Sequence, residues 1–364
     1  MLCALLTPIP ELSVCLSPSF GVSNLMKKLV YSALALSVTS AGALASDTDW
    51  STLDQEIEAL TASTALDTTG PNIGGRIRTL YLNSSDLDVG DFDVEDARLS
   101  ATGSRGDYSY KLQVDFADDG LLDAYIDFPL GGQVKGRFGQ FKAGLSRSAL
   151  ISSGDMFFAG RNVIGETWSG RAEGFQISGE FDQLGWWLTI QDGADAAGDD
   201  YLIAGRVAFD LMGDGASSVE GAYGGTEAPS ATAALGFWDD GGADDVDGTV
   251  LEFHGGTNVY SFGVDLMSIG DGGAPTTNGD PTVLEGDSSP MSVMGTYMLQ
   301  PDTWELGVRY EDADNASSDS MMSIGVVNYL DGHNLKWTIQ YNSVSSDDDA
   351  REVDGFAVQL QLGF

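Results

Sequence analysis

From Asn72 to the C-terminus, apolar and polar residues alternate with a period of two, segment after segment. Tyr201, Ile203, Gly205, Val207 and Phe209 fall on one side, and Ala204, Arg206, Ala208 and Asp210 on the other. Trp304, Leu306, Val308 and Tyr310 oppose Glu305, Gly307, Arg309 and Glu311, and Trp337, Ile339 and Tyr341 oppose Lys336, Thr338 and Gln340. Strands turn successive side chains to opposite faces, so each such segment reads as a strand with one apolar face. Seventeen candidates lie near Asn72, Asp91, Asp107, Leu121, Gln133, Arg171, Leu184, Tyr201, Ser217, Thr232, Thr249, Tyr260, Met291, Thr303, Met321, Asn334 and Val353. A long series of such segments is the mark of an all-β protein, a transmembrane antiparallel β-barrel. Bacterial single-chain barrels use even strand numbers, so one candidate is not a strand; sixteen are expected, with eighteen next.

The connections alternate between tight turns, such as Pro129 to Gly132 and Asp331 to Asn334, and long acidic loops such as Gly270 to Ser289. Ring residues near strand ends (Trp186, Trp187, Tyr201, Phe209, Trp304, Tyr310, Trp337, Tyr341) are expected on the apolar face, as interfacial girdles. Phe356, Val358, Leu360, Leu362 and the terminal Phe364 share one face. That ending resembles the assembly signal of Gram-negative outer-membrane proteins and points to the barrel-assembly machinery as a partner through Phe364. A soluble exported β-sandwich or β-helix is the competing architecture, and the girdles and the ending both argue against it.

The alternation does not reach the N-terminus. Met26, Lys27 and Lys28 precede an apolar run from Leu29 to Leu44 that closes on Ala43-Leu44-Ala45. A basic start, an apolar centre and an A-x-A site make residues 26–45 a cleavable signal peptide, too short for a membrane helix. Residues 1–25, which hold both cysteines, read as an extension from a mis-assigned start. The mature chain then has no cysteine, hence neither disulfides nor a thiolate metal site. In residues 46–71, Trp50, Leu53, Ile57 and Leu60 recur at helical spacing, predicting a short periplasmic helix or linker that ends at Gly70-Pro71. The barrel is expected over 72–364.

One stretch breaks the period. Gly136 to Gly165 begins as an alternating strand, loses the alternation after Phe141, and carries Arg137, Lys142, Arg147 and Arg161. A long irregular segment among short strands is functional or disordered, and here a loop folded into the pore is expected.

Charge sharpens that reading. The chain has 17 basic and 55 acidic residues, a formal net of −38, which repels nucleic acid and anionic surfaces. Without residues 1–45, fifteen basic and fifty-four acidic residues remain. The acids crowd the loops, whereas alternation turns Arg76, Arg78, Arg98, Lys111, Lys135, Arg137, Arg206, Arg309 and Lys336 inward. Arg171, at a strand start, fits the inward phase poorly. Avoidance of lipid explains part of this, since Arg or Lys on the lipid face costs about 2–4 kcal/mol at the midplane. Asp96, Asp115, Asp123, Asp127, Glu180, Glu252 and Asp265 also alternate inward, so the lumen is mixed in charge.

Several segments resemble the phosphate-selective porin O/P family. They are Val94-Glu-Asp-Ala-Arg-Leu-Ser-Ala-Thr-Gly103, Tyr110-Lys-Leu-Gln-Val-Asp-Phe116, Leu122-Asp-Ala-Tyr-Ile-Asp-Phe128, Gly139-Gln-Phe-Lys142 and Ser152-Ser-Gly-Asp-Met-Phe-Phe158, with Arg161. The resemblance implies a sixteen-stranded homotrimeric outer-membrane channel, narrowed by an inward loop at about Phe141 to Gly165. Constriction residues carry over to Lys142 and Asp115, and Arg98 matches the last arginine of the family's arginine-rich run. Where that run opens with paired arginines, this chain has Glu95 and Asp96, a local change of four charge units that bears on phosphate selectivity.

The function expected is passive diffusion of small hydrophilic solutes, with anions preferred and phosphate or polyphosphate among them. The fixed charges expected at the constriction are Lys142, Arg137, Arg147, Arg161, Arg98, Asp115, Lys111, Arg76 and Arg78, since rings of Arg and Lys select anions. Alternatives are a non-selective or cation-preferring porin, and a closed structural or receptor barrel. Only two histidines are present, and no Ser, His and acid set, phosphate loop or zinc signature stands out. Neither an enzyme nor a cofactor is expected. Asp347 to Asp349 lack EF-hand spacing, so no metal site is expected either. The expected partners are outer-membrane lipid and lipopolysaccharide, small ions, and two further copies of the chain.

Overall fold

The computed structural model describes residues 70–364 apart from 85–88, 118–119, 168, 194–200, 242–245, 271–286, 315–318 and 348–351. The expected start extension, the signal peptide, and the helix or linker up to residue 69 lie outside the described residues, as do most of the acidic loop 270–289 and Asp348 and Asp349.

Sixteen antiparallel strands close into a barrel. The first half comprises β1 (Asn72–Ser84), β2 (Val89–Arg105), β3 (Tyr108–Asp115), β4 (Gly120–Gly131), β5 (Val134–Phe141), β6 (Ala172–Phe181), β7 (Leu184–Asp192) and β8 (Tyr201–Met212). The second comprises β9 (Ser230–Asp240), β10 (Val246–Gly256), β11 (Tyr260–Ile269), β12 (Met291–Gln300), β13 (Trp304–Asp312), β14 (Ser320–Asp331), β15 (Leu335–Ser345) and β16 (Val353–Gly363). Each strand pairs with its sequence neighbours, and β1 pairs with β16 in the register Arg76↔Gly363 to Ser84↔Gly355. The closure extends to the last residue, because Gly75 N–H donates to Phe364 O at 2.9 Å and Phe364 N–H to Gly75 O at 3.0 Å. Closure leaves no edge strand, so the ladders pair strand to strand around the whole barrel.

The period-two pattern decides which face is wet. Leu235, Leu251, Val308, Ile324 and Ile339 are exposed on the outside, whereas Glu252, Arg309, Ser323, Lys336 and Gln340 are buried inside. A barrel is thus apolar outward and polar inward. One ring departs from the expected girdle. Trp187 stands opposite Ser178 and the buried Arg206, and directly opposed residues share a face. Trp187 therefore faces the lumen, and Trp186 alone of that pair faces outward.

The connections after even-numbered strands are short, as at Gly332 to Asn334, where Gly332 takes φ 54°, a left-handed conformation that glycine adopts without strain. The exception is the stretch between β8 and β9. The candidate strand near Ser217 is not a strand; residues 213–229 form turns and bends that enter the lumen. Its removal takes seventeen candidates to sixteen.

Candidate functional site: the lumen and its constriction

The long connection between β5 and β6 (142–171) folds inward. Short polar caps shape it. Ser146 Oγ accepts from Ala149 N–H at 3.2 Å and starts the one-turn helix α1 (Arg147–Leu150). Ser152 Oγ accepts from Gly154 N–H at 3.3 Å, and Asn162 Oδ1 accepts from Gly165 N–H at 2.6 Å at the start of α2 (Val163–Thr167). Between these caps the loop presents apolar side chains to the barrel wall. Leu145, Ala149 and Ile164 pack on Leu202, Ala204, Trp238, Val250, Met267 and Ile269. Phe157 and Phe158 pack on Met294, Val327 and Tyr329, and Ala159 on Leu80 and Ala357. The wall makes room with glycine. Gly307 and Gly325 pair across β13 and β14, and a Cβ on either would lie 2.5 Å and 3.0 Å from the Phe157 ring.

Buried polar side chains of the same wall hold the loop's backbone. Lys336 Nζ donates to Gly154 O at 3.0 Å and Met156 O at 2.5 Å, and Arg309 donates to Gly160 O at 3.0 Å and Arg161 O at 3.3 Å. Glu311 accepts from Val163 N–H at 2.6 Å, Gln340 Oε1 from Ala159 N–H at 2.9 Å, and Asp265 from Asn162 Nδ2 at 2.7 Å. Each lost contact of this kind strands a buried donor or acceptor, at a cost of about 1–3 kcal/mol. Packing and pins act together, so the loop is seated chiefly against β8 to β16 and β1.

The inserted segment 213–229 closes on the loop from the opposite end of the barrel. Glu220 is the hinge of that contact: its Oε2 accepts from Phe157 N–H at 2.8 Å and Phe158 N–H at 3.1 Å, while its own N–H donates to Asp155 O at 2.9 Å. Arg147 Nη2 reaches back to Ser217 O at 2.6 Å and Val219 O at 2.7 Å. Ala222 N–H donates to Glu305 at 2.6 Å, and Tyr223 stacks on Tyr329 with ring centroids 4.3 Å apart.

What remains along the β2–β7 wall is a row of cavities. Three adjoining cavities share lining residues and rise from the short-turn end. At the mouth, Lys135 faces Glu180 and Asp182. Further in, Lys135, Arg137 and Lys142 meet one carboxylate, Asp127, beside Trp187 and the loop residue Leu150. In the innermost cavity Arg98, Lys111, Arg137, Lys142, Arg161 and Arg171 share the lining with a single carboxylate, Asp123, among the described residues. The lining gains cations inward.

The cations there differ in how they are held. Arg137 grips Asp127 with two bonds of 2.6 and 2.9 Å and lies 3.8 Å from the centre of the Tyr125 ring. Asp123 is shared by Lys111 at 2.6 Å and Arg171 at 3.0 Å. Lys142 Nζ donates to Ala149 O at 2.7 Å, and Arg161 to Ser148 O at 2.5 Å and Ile151 O at 2.6 Å. Both meet carbonyl oxygens rather than carboxylates, so their charge is not cancelled locally. Burial, with Arg161, Arg171 and Arg98 nearby, holds the Lys142 ammonium well below the ordinary lysine range. Burial likewise lowers Arg161 to about 10.

Arg76, Arg78 and Arg98 form a separate knot. Asp96 pairs with all three, at 2.8, 2.5 and 2.7 Å, Glu95 with Arg78 at 3.4 Å and Asp115 with Arg98 at 2.6 Å. The arginines also hold the loop, Arg76 on Ser152 and Ser153, Arg78 on Ser153 O, and Arg98 on Ser153 Oγ at 2.8 Å. Glu95 and Asp96 thus neutralise an arginine cluster that anchors the loop.

Of the expected constriction residues, Lys142, Arg137, Arg161, Arg98 and Lys111 line the narrow stretch together. Arg76, Arg78 and Asp115 belong to the adjacent knot, and Arg147 lies on the loop's far side under the inserted segment. Arg171 and Tyr125 complete that lining, and Lys135 and Trp187 line the cavities below it; none of the four was expected at the constriction. Arg171 precedes β6 by one residue, so alternation gave it no phase. Across the barrel, Glu252, His254 and Asp265 bring three metal-ligating groups within 4.8 Å of one another. Arg206, 2.8 Å from Glu252, and Arg147, 3.3 Å from His254, supply the positive charge there, and a cation fits that set poorly.

Residues 72–240, just under half of the chain, match the family model described as phosphate-selective porin O and P. No curated protein sequence is similar to the chain. Among solved structures, the anion-selective porin from Comamonas acidovorans superimposes with a TM-score of 0.53 at 15% identity, covering 81% of this chain and 99% of that one. OmpT of Vibrio cholerae in a trimer form gives 0.55 at 14% identity, over 81% and 99%. OprB of Pseudomonas putida gives 0.57 at 10% identity, over 84% and 97%. These likenesses show a shared barrel fold. The family match and that fold support an outer-membrane porin for passive solute diffusion, a channel rather than an enzyme.

Proposed function

We propose that the chain is an anion-preferring porin of the outer membrane, in which solutes cross along the β2–β7 wall under the field of Lys142, Arg161, Arg137, Lys111, Arg171 and Arg98. The observation that carries this reading is the innermost cavity, where six cations line the wall with one carboxylate among the described residues. Two of the six, Lys142 and Arg161, form no ion pair with a described carboxylate. In a chain of net charge −38, such a concentration is a local design against the average. Screening confines the acidic loops' influence to within about 8 Å at physiological salt, so the constriction decides.

Phosphate selectivity draws less support than general anion preference. The family description favours it, but Asp96 consumes the Arg76, Arg78 and Arg98 cluster. Two features of assembly complete the proposal. The chain forms a homotrimer, supported by the trimer form of the structurally similar OmpT, and it is exported with loss of residues 26–45, supported by the Lys27-Lys28 start and the Ala43-Leu44-Ala45 end.

The test is reversal potential in a planar bilayer under a KCl gradient. A potential of the sign carried by chloride is expected, and the double change Lys142→Glu with Arg161→Glu should move it toward or past zero. Cation preference in the unmodified protein overturns the reading. A closed barrel, which the two lumenal segments favour as a second reading, would give no conductance steps.

A further inference from the structure

The narrow stretch is not lined by charge alone. Leu150 projects from the end of α1 with 38% of its surface exposed, and it lines both inner cavities. Trp187 lines the two cavities below, opposite Arg206 whose guanidinium carbon is 5.3 Å from its ring centre. Tyr125 stands in the innermost cavity under the Arg137 guanidinium. Apolar surface in an aqueous lumen costs free energy unless something covers it, at roughly 25 cal/mol per Å².

Each cation at the same place has at least one partner. Arg137 is committed to Asp127, Lys111 and Arg171 to Asp123, and Lys142 and Arg161 to carbonyl oxygens of their own loop. A compact oxyanion meets the charge alone and leaves this apolar surface in water. An anion with one charged end and a flat apolar body meets both: its charge lies in the cationic field, and its ring covers Leu150 and stacks on Trp187.

We propose that the preferred solutes are organic anions with an aromatic or compact apolar body, the aromatic monocarboxylates being the fitting class. This rests on the anion reading above and narrows it.

Benzoate, acetate and inorganic phosphate serve as probes, each added to a bilayer in which the reversal potential has first been measured. Benzoate should reduce single-channel chloride current with a half-blocking concentration about tenfold below that of acetate, the difference expected from covering one ring face, and below that of phosphate. Trp187→Ala should raise the benzoate value several-fold relative to the acetate value in the same variant, and Trp187→Phe, which keeps a ring, should restore most of the ratio. Equal block by benzoate and acetate in the unmodified protein overturns the proposal while leaving anion preference standing. Phosphate as the strongest blocker overturns it in favour of an inorganic-anion site. A cation-directed reversal potential removes both readings at once.

Discussion

Lys142 sits where the constriction is most sensitive to pH. An ammonium whose pKa is depressed loses its charge as pH rises through the depressed value, and burial beside three arginines depresses this one strongly. Anion preference should therefore decline as pH rises through the depressed Lys142 value. Reversal potential recorded against pH checks this, and Lys142→Arg, charged throughout, should abolish the step. The same shift affects stability. In the window between the depressed value and the ordinary lysine value, the unfolded chain binds more protons, so this group's contribution rises with pH. Alternation placed Arg98, Lys111 and Arg137 inward without ambiguity, because each lies mid-strand. It had no hold on Trp187, since two consecutive rings look alike in sequence and only the register opposite Arg206 decides which one faces the lumen.

The inserted segment between β8 and β9 is the element that alternation misread. Val219, Gly221 and Tyr223 alternate with Ser218, Glu220 and Ala222 as a strand would. What distinguishes them is a set of long-range bonds, from Glu220 to the Phe157 and Phe158 amides and from Ala222 to Glu305. No local pattern records such partners. Glu220→Ala leaves two buried amides without an acceptor, at about 1–3 kcal/mol each, a large fraction of what keeps a loop in one place. Single-channel recordings of that variant should show extra sublevels and brief closures that the unmodified channel lacks. Glu220→Gln keeps an acceptor oxygen and should record steadily. The constriction loop itself was legible from its lost period after Phe141, but its seat was not, because the glycine pair Gly307 and Gly325 reads only as weak strand.

For the molecule as a whole, period-two alternation and even strand number were enough to reach sixteen strands once one candidate was struck out. These signals are local and repeated, which is why a barrel is readable while the contents of its lumen are not. Assembly beyond one chain is a property of the outer face, and the proposed homotrimer predicts a detergent-corrected mass near three times that of the mature chain by sedimentation or light scattering. The one-sided seat of the loop has a consequence for how this sequence tolerates change. Strands β8 to β16, with the arginine knot on β1 and β2, serve as a mould and the lumenal side chains of β3 to β7 as a sieve, and the two duties fall on largely different stretches of the gene. Substitutions at Lys111, Tyr125, Lys135 or Trp187 retune what is admitted without disturbing the casting, whereas those at Gly307, Arg309, Gly325 or Lys336 spoil the casting before they touch the cargo. New permeability is thus open to mutation in the first half of the barrel while the second half stays under structural restraint.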